Sequence, residues 1–285
     1  MSRLNRVLLL LLVAIGAPYY WFMLDNSAPK AKPVELSVAE FRRLATDPDE
    51  PGPQRIRFEQ VARQSVLGNR IAAGTGLRAT ELYTFSFLLE YAQGAPVLIG
   101  GGLTPADARR YEHENFSSAA QKRVTKALSQ ARMLIPLAPV PEQLGALRML
   151  GSSRQAKLLD ANLSQQQQAD RLGKPHRVAP GVVVVPTPKL RPGSRLVFVR
   201  LANGQEYLFA GSLAPIQESW KQMRLPARFV TDIGRTEDRG AIKSWLRALR
   251  HLRREAPALT IVSGNRIPDR GGLLHYFDES ANLRA

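Results

Sequence analysis

The sequence predicts an α/β protein, an αββα four-layer sandwich behind an N-terminal transmembrane helix, and three observations lead there. Segments come in the order strands, helices, strands, a long helix and a strand, which suits two sheets held between helices. The chain opens with an uncharged run close to the length needed to cross a bilayer. Its 285 residues are 44% hydrophobic and 22% charged, which excludes disorder as the main state and allows a sizeable core.

The opening run is Val7–Leu24, 18 residues without a charge. Arg3 and Arg6 precede it, and Tyr19, Tyr20, Trp21 and Phe22 cluster at its far end, where amphipathic rings favour headgroups. A cleaved signal peptide is the rival reading. "AIGAPYYWF" offers no clean small-residue cleavage site, because Pro18 and the aromatic cluster intrude. The favoured reading is an uncleaved single-pass anchor in an inner membrane, with residues 1–6 cytoplasmic, 7–24 spanning, 25–34 a linker, and 35–285 one domain facing the periplasm. Lys30 and Lys32, just past the anchor, count against that orientation.

Within the domain, Ser37 and Glu40 have the spacing of a capping box that starts a helix. "RIRFEQVA" alternates as a strand with Ile56 and Phe58 on one face. Tyr83–Tyr91 and Pro96–Ile99 form a hairpin turning at Gln93-Gly94, and Gly100, Gly101 and Gly102 end it. "AAQKRVTKALSQA" and "PEQLGALRML" read as helices, and "LLDANLSQQQQADRL" as a polar, exposed one. Val182–Val185, Arg195–Arg200 and Glu206–Ala210 are strands, with Asn203-Gly204 as the tight turn between the last two. In "EDRGAIKSWLRALRHLRREAP", Ile242, Trp245, Leu246, Leu249 and Leu252 recur at helical spacing. The other face carries Lys243, Arg247, Arg250 and Arg254. "ALTIVSGN" is a final core strand and loop.

Together these pieces resemble the metallo-β-lactamase fold superfamily of metallohydrolases, over roughly Tyr83 to Arg266. "EYAQGAPVLIGGG" is similar to the family's hairpin ending in V-L-I-D-T-G. "ARMLIPLAPVPEQLGAL" lies where the family has a strand followed by H-x-H-x-D-H and a G-G-L helix start. "PTPKLRPGSR" resembles T-P-G-H-T-P-G-H, "VRLANGQEYLFAGS" a hairpin ending in G-D, and "ALTIVSGN" a strand ending in G-H. The resemblance implies a hydrolase acting on lactones, thioesters or β-lactams.

The same alignment makes the chain a degenerate member. The four ligands of the first metal motif are replaced by Pro136, Ala138, Val140 and Pro141. The third-motif histidine is Leu190, the metal-bridging aspartate is Ser212, the last histidine is Asn265, and the structural aspartate is Gly100. Zinc needs imidazole, thiolate or carboxylate donors, and the chain has no cysteine. No metal or other cofactor is therefore expected, and with it go the Lewis acid and the activated water.

Substitutes for that site are few. His113, His176, His251 and His275 show no ligand spacing, and His251 falls on the basic helix face. His275 follows the last motif and is the one that could turn toward the cleft. "GNRIAAGTG" and "LIGGGL" match no phosphate-binding loop and read as turn glycines. Glu237 and Asp238 stand at a helix start, where acidic residues complement the dipole. Ser194 and Ser212 are nucleophile candidates by position only.

The expectation is a membrane-tethered pseudohydrolase that binds a protein partner or an anionic ligand, with Arg191, Ser194, Asn265 and Arg266 on the cleft rim. The alternative is an active ester, thioester or lactone hydrolase with a rearranged or metal-independent site. A net charge of +16 attracts anions, and the Lys243–Arg254 face suits anionic lipid headgroups. Nucleic acid is disfavoured, since no aromatic-interleaved basic motif is present.

Overall fold

Two five-stranded sheets form the centre of the protein. The computed structural model describes residues 2–155, 173–234, 237–267 and 275–276. The first sheet has the order β10-β1-β2-β3-β4. It comprises β1 (Arg55–Leu67), β2 (Ala79–Glu90), β3 (Val97–Ile99), β4 (Met133–Ile135) and β10 (His275–Tyr276). The second runs β5-β6-β7-β8-β9, from β5 (His176–Ala179) and β6 (Val182–Pro186) through β7 (Arg195–Arg200) and β8 (Glu206–Phe209) to β9 (Thr260–Val262).

Side-chain alternation explains why the sheets stack. Along β6, Val182 and Val184 turn to the core between the sheets, while Val183 and Val185 turn to a second core outside. The inner core joins Phe58, Phe85, Phe87 and Ile99 of the first sheet to Val197, Val199 and Phe209 of the second, with the Phe87 and Phe209 rings 4.8 Å apart. Outside the second sheet lie α2 (Val38–Ala45) and the long α8 (Arg239–Glu255), which buries Ile242, Trp245, Leu246, Leu249 and Leu252 as its periodicity predicts. Outside the first sheet lie α5 (Ser118–Gln130) and α6 (Pro141–Arg148). The layers are therefore helix, sheet, sheet, helix. Short helices α3 (Gly68–Ile71), α4 (Pro105–Arg110) and α7 (Gln217–Lys221) fill the loops.

Three details differ from the sequence reading. The expected hairpin of Tyr83–Tyr91 with Pro96–Ile99 is β2 with β3, but a longer first hairpin precedes it, in which β1 pairs with β2 from Arg55 opposite Glu90 to Leu67 opposite Ala79. Its outer half is half-exposed, so it lacks the apolar alternation that marks a strand. Ser37 does precede α2, but its hydroxyl makes no capping bond, and the Val38 N–H donates instead to Glu255 Oε1 of α8 at 3.2 Å. The segment 25–34, expected as a linker, is partly docked: Asp25 is buried, and Asn26 and Ser27 bond to the domain. The expected polar helix at 158–172 lies outside the described residues.

Ahead of the sandwich, α1 (Arg3–Tyr19) continues through a π-turn to Leu24. This stretch, Arg3–Leu24, has a mean hydropathy of 2.1 over its most apolar window, none of which is buried, and is long and apolar enough to cross a membrane.

Candidate functional site

Four loops converge at one edge of the sandwich: 136–140 after β4, 187–194 between β6 and β7, 210–216 after β8, and 263–267 after β9. Backbone bonds tie them together. Arg195 N donates to Leu137 O at 2.9 Å, Gly264 N to Ala214 O at 3.0 Å, and Asn265 N to Pro215 O at 2.9 Å.

The first of these loops is sealed. Pro136, Leu137 and Ala138 are buried, and Val140 and Pro141 are half-buried. Leu137 packs on Gly211, where an added Cβ would stand 2.9 Å from the leucine Cβ. Pro139 packs on Gly193 in the same way, at 3.2 Å. Gly100 adopts φ +73°, which glycine tolerates, and lies against the Gln143 side chain. That side chain accepts the Leu137 N–H at 3.1 Å. Where the resemblance places four metal ligands there is packed hydrocarbon.

Beside the seal the loops stand apart around a cavity of about 650 Å³. Val66, Ile71 and Leu82 from the first hairpin and Leu190, Leu213 and Ile242 from the second half supply apolar wall. The 187–194 loop is held by Thr187, whose hydroxyl donates to Ser194 O at 2.8 Å, and by Trp245 Nε1, which donates to Pro188 O at 3.2 Å. This holds Leu190, Arg191 and Ser194 in the cavity wall.

Charges in the wall are four cations, Arg70, Lys189, Arg191 and Arg224, against three carboxylates, Glu142, Glu237 and Asp238. The carboxylates are engaged. Asp238 caps α8, accepting the Ala241 N–H at 2.9 Å, as its position at the helix start predicts. Glu237 lies 3.7 Å from Arg191, and Glu142 lies 3.6 Å from the buried His113 ring. Burial alone would raise the Glu142 carboxyl. The neighbouring His113 ring and a backbone N–H outweigh it and hold the group below the usual glutamate value. Arg224 donates to Ala73 O at 2.7 Å and Gln222 Oε1 at 2.9 Å. Arg70 and Lys189 are exposed and form no ion pair among the described residues. The hydroxyls of Ser194 and Ser219 are buried without a hydrogen-bond partner.

Of the residues singled out in the sequence, Arg191, Ser194, Leu190 and Ser212 line the cavity. Asn265 and Arg266 stand outside its lining. Asn265 is a strut between the sheets: its Nδ2 donates to Tyr83 O at 3.0 Å, and its carbonyl accepts the Tyr83 N–H at 3.1 Å. Arg266 is exposed and forms an isolated bridge with Ser263. His251 is exposed on α8, and His176 pairs with Val184 in β5. His275 pairs with Arg57 on β1. That is seven residues along β1 from Gln64 at the cavity, roughly 23 Å at the rise of a strand. The histidines do not converge.

The residues present do not fit a metal. The side chains of Pro136, Ala138, Val140, Pro141 and Leu190 bring no donor, Ser212 brings one hydroxyl and Asn265 one amide oxygen, which is too few and too weak a set for a metal. Among the described residues, no three of His, Cys, Asp and Glu come together as ligands. Arg70, Glu142, Ser219 and Arg224 were not singled out in the sequence. They come from three separate segments, Ser219 and Arg224 sharing one turn, and no local spacing marks them.

No protein-family model matches the chain, and no curated protein matches it. Solved structures do. A quorum-quenching N-acyl homoserine lactone lactonase is similar with a TM-score of 0.58 and 15% identity, over 80% of this chain and 98% of that one. An N-acyl homoserine lactone hydrolase, solved with N-hexanoyl-L-homoserine at its catalytic metal centre, has a TM-score of 0.55 and 15% identity, over 75% and 94%. A probable metal-dependent hydrolase from Staphylococcus aureus has 0.54 and 9%, over 76% and 90%. The likeness is one of fold, and it is the αββα fold that the resemblance implied.

Proposed function

We propose that this protein is a membrane-anchored pseudohydrolase: a hydrolase fold that lacks a metal site and uses the neighbouring cavity to bind an anionic ligand. The observation that carries the reading is the pairing of a sealed ligand position with an open cavity. Hydrocarbon fills the loop after β4, while the adjoining wall keeps four cations and unpartnered hydroxyls. Arginine donors there suit a carboxylate or phosphate. A carboxylate on a protein partner is recognised by the same chemistry. The anchor is the helix Arg3–Leu24, with Arg3 and Arg6 on the cytoplasmic side and the domain in the periplasm.

Metal-independent hydrolysis would need a nucleophile with a base. Ser194 is the buried hydroxyl nearest that role by position, and it has no hydrogen-bond partner.

The test uses the full chain in neutral-lipid nanodiscs, challenged with zinc and assayed on lactone, thioester and β-lactam substrates. Expected are no stoichiometric metal, no turnover, and saturable binding of decyl phosphate that Arg191→Glu weakens about tenfold, the cost of one charge-assisted contact. Stoichiometric zinc, or turnover that Ser194→Ala abolishes, would overturn the reading.

A further inference from the structure

The end of the membrane helix is bonded to the domain. Arg228 stacks over the Trp21 ring at 4.1 Å and donates to Asp25 Oδ2 at 2.6 Å. Asn26 takes the Leu225 N–H at 2.7 Å and gives its own amide to Met223 O at 3.0 Å. Arg239, 4% exposed, donates to the carbonyls of Asp25, Ser27 and Pro226 and to the Thr231 hydroxyl. The Leu24 carbonyl lies 4.0 Å from where a Cβ on Gly74 would stand. The helix exit is thus held against two segments, 68–78 and 223–234.

Those two segments also build the cavity. Arg70 and Ile71 come from the first, and Arg224, Pro226 and Val230 from the second. They and their border carry exposed apolar side chains as well: Leu67 at 42%, Leu77 at 54% and Ile233 at 67% exposure. Beyond the membrane helix, Tyr111 and Met149 complete the exposed large apolar residues among those described. Arg70 is exposed between Leu67 and Leu77, and Arg78 is exposed directly after Leu77. Apolar tips interleaved with cations, beside a membrane helix, match the two halves of a bilayer interface. The basic face of α8 carries no exposed large apolar residue, so it lacks one half of that match.

We infer that the face formed by 67–78 and 223–234 rests on the bilayer, and that the cavity takes an anionic phospholipid from it. The phosphate meets Arg70 and Arg224, and acyl chain lies along Val66, Ile71, Leu82 and Val230. A cavity of about 650 Å³ holds a headgroup and a length of chain rather than a whole lipid, so the rest of the lipid stays in the membrane. This inference rests on the cavity being a ligand site.

The experiment places the full chain in phosphatidylcholine nanodiscs doped with a phosphatidylglycerol or a phosphatidylcholine that carries a photoreactive acyl chain. Crosslinked peptides are then mapped by mass spectrometry. Expected is phosphatidylglycerol labelling of 66–82 and 224–230, several-fold above phosphatidylcholine, reduced several-fold by Arg70→Glu, and blocked by filling the wall with Val66→Trp. Arg43→Glu, exposed on α2 and outside both the cavity lining and the membrane face, serves as the folded charge control and keeps the label. Decyl phosphate binding is measured on the same discs. If decyl phosphate binds but the lipid label falls on the membrane helix alone, lipid uptake is overturned and the ligand-binding reading stands. If neither binds in the cavity, both fall. Cavity labelling without decyl phosphate binding supports lipid as the occupant, and equal labelling by the two lipids overturns the requirement for negative charge.

Discussion

The two sheets end differently at the edge where their loops meet. Where β4 ends, Leu137 and Pro139 close on Gly211 and Gly193, and the chain leaves no space. Where β6 and β8 end, the loops stay apart around a cavity with four cations in its wall. Both ends stand on the same inter-sheet core, so the framework does not dictate which loop is sealed. What differs is side-chain chemistry: hydrocarbon packs itself shut at the first end, whereas charged side chains such as Lys189 and Arg191 at the second keep access to water.

The comparison breaks most completely at the joint both ends share. A methyl group at Gly264 would meet the Gly211 carbonyl oxygen at 2.3 Å, with only backbone to move. Gly264→Ala is expected to cost about 4 kcal/mol or to abolish soluble protein, as read by chemical denaturation. Unsealing the first end comes next. Leu137→Ala, at a residue 5% exposed, is expected to cost about 3 kcal/mol, whereas Leu137→Met stays within about 1.5 kcal/mol. A loss at Leu137→Ala well under 1 kcal/mol would mean that the seal is not packed as described.

Smaller effects sharpen the open end. Asp238→Ala removes the α8 cap and is expected to cost about 1 kcal/mol in thermal or chemical unfolding. Glu142 joins the two ends, standing in the first turn of α6 and in the cavity wall. Its folded-state carboxyl lies below the ordinary value of 4.5, so its contribution is present above that pH and is lost as pH falls through the folded value. Glu142→Gln should remove that part of the acid sensitivity, and an unchanged acid-unfolding profile would contradict it. Smallest is Ser219→Ala. Its hydroxyl is buried without a partner, so stability should change by no more than about 0.5 kcal/mol.

Much of the fold was legible because its signals are local. The α8 stripe needs only one helix period, and all five of its apolar positions are buried. The Asn203-Gly204 turn is where two strands reverse, with Gly204 at φ +85°. The outer half of the first hairpin was not legible, because partly exposed strand residues show no alternation. Ser37 carries a capping signature, yet Glu255, 217 residues away in α8, takes the Val38 N–H in its place. The segment 25–34 has linker composition, and nothing in it announces the buried Arg239 that holds its start.

The site divides in the same way. Leu190, Ser212, Arg191 and Ser194 could be placed from the sequence because they share one ordered set of motif resemblances. By itself the sequence determined that the positions aligned with the metal motifs hold no imidazole, thiolate or carboxylate, since donor chemistry belongs to residue type and needs no geometry. It also determined that the chain carries a run apolar enough to cross a membrane and a strong positive charge. Only the tertiary structure decided that the aligned positions at the end of β4 are packed with hydrocarbon while a cavity lies beside them. It alone brought Arg70, Glu142, Ser219 and Arg224 to that cavity, and set the exit of the apolar N-terminal helix against two of its walls. Packing and convergence depend on contacts between residues far apart in the chain, and those contacts leave no periodic trace along it.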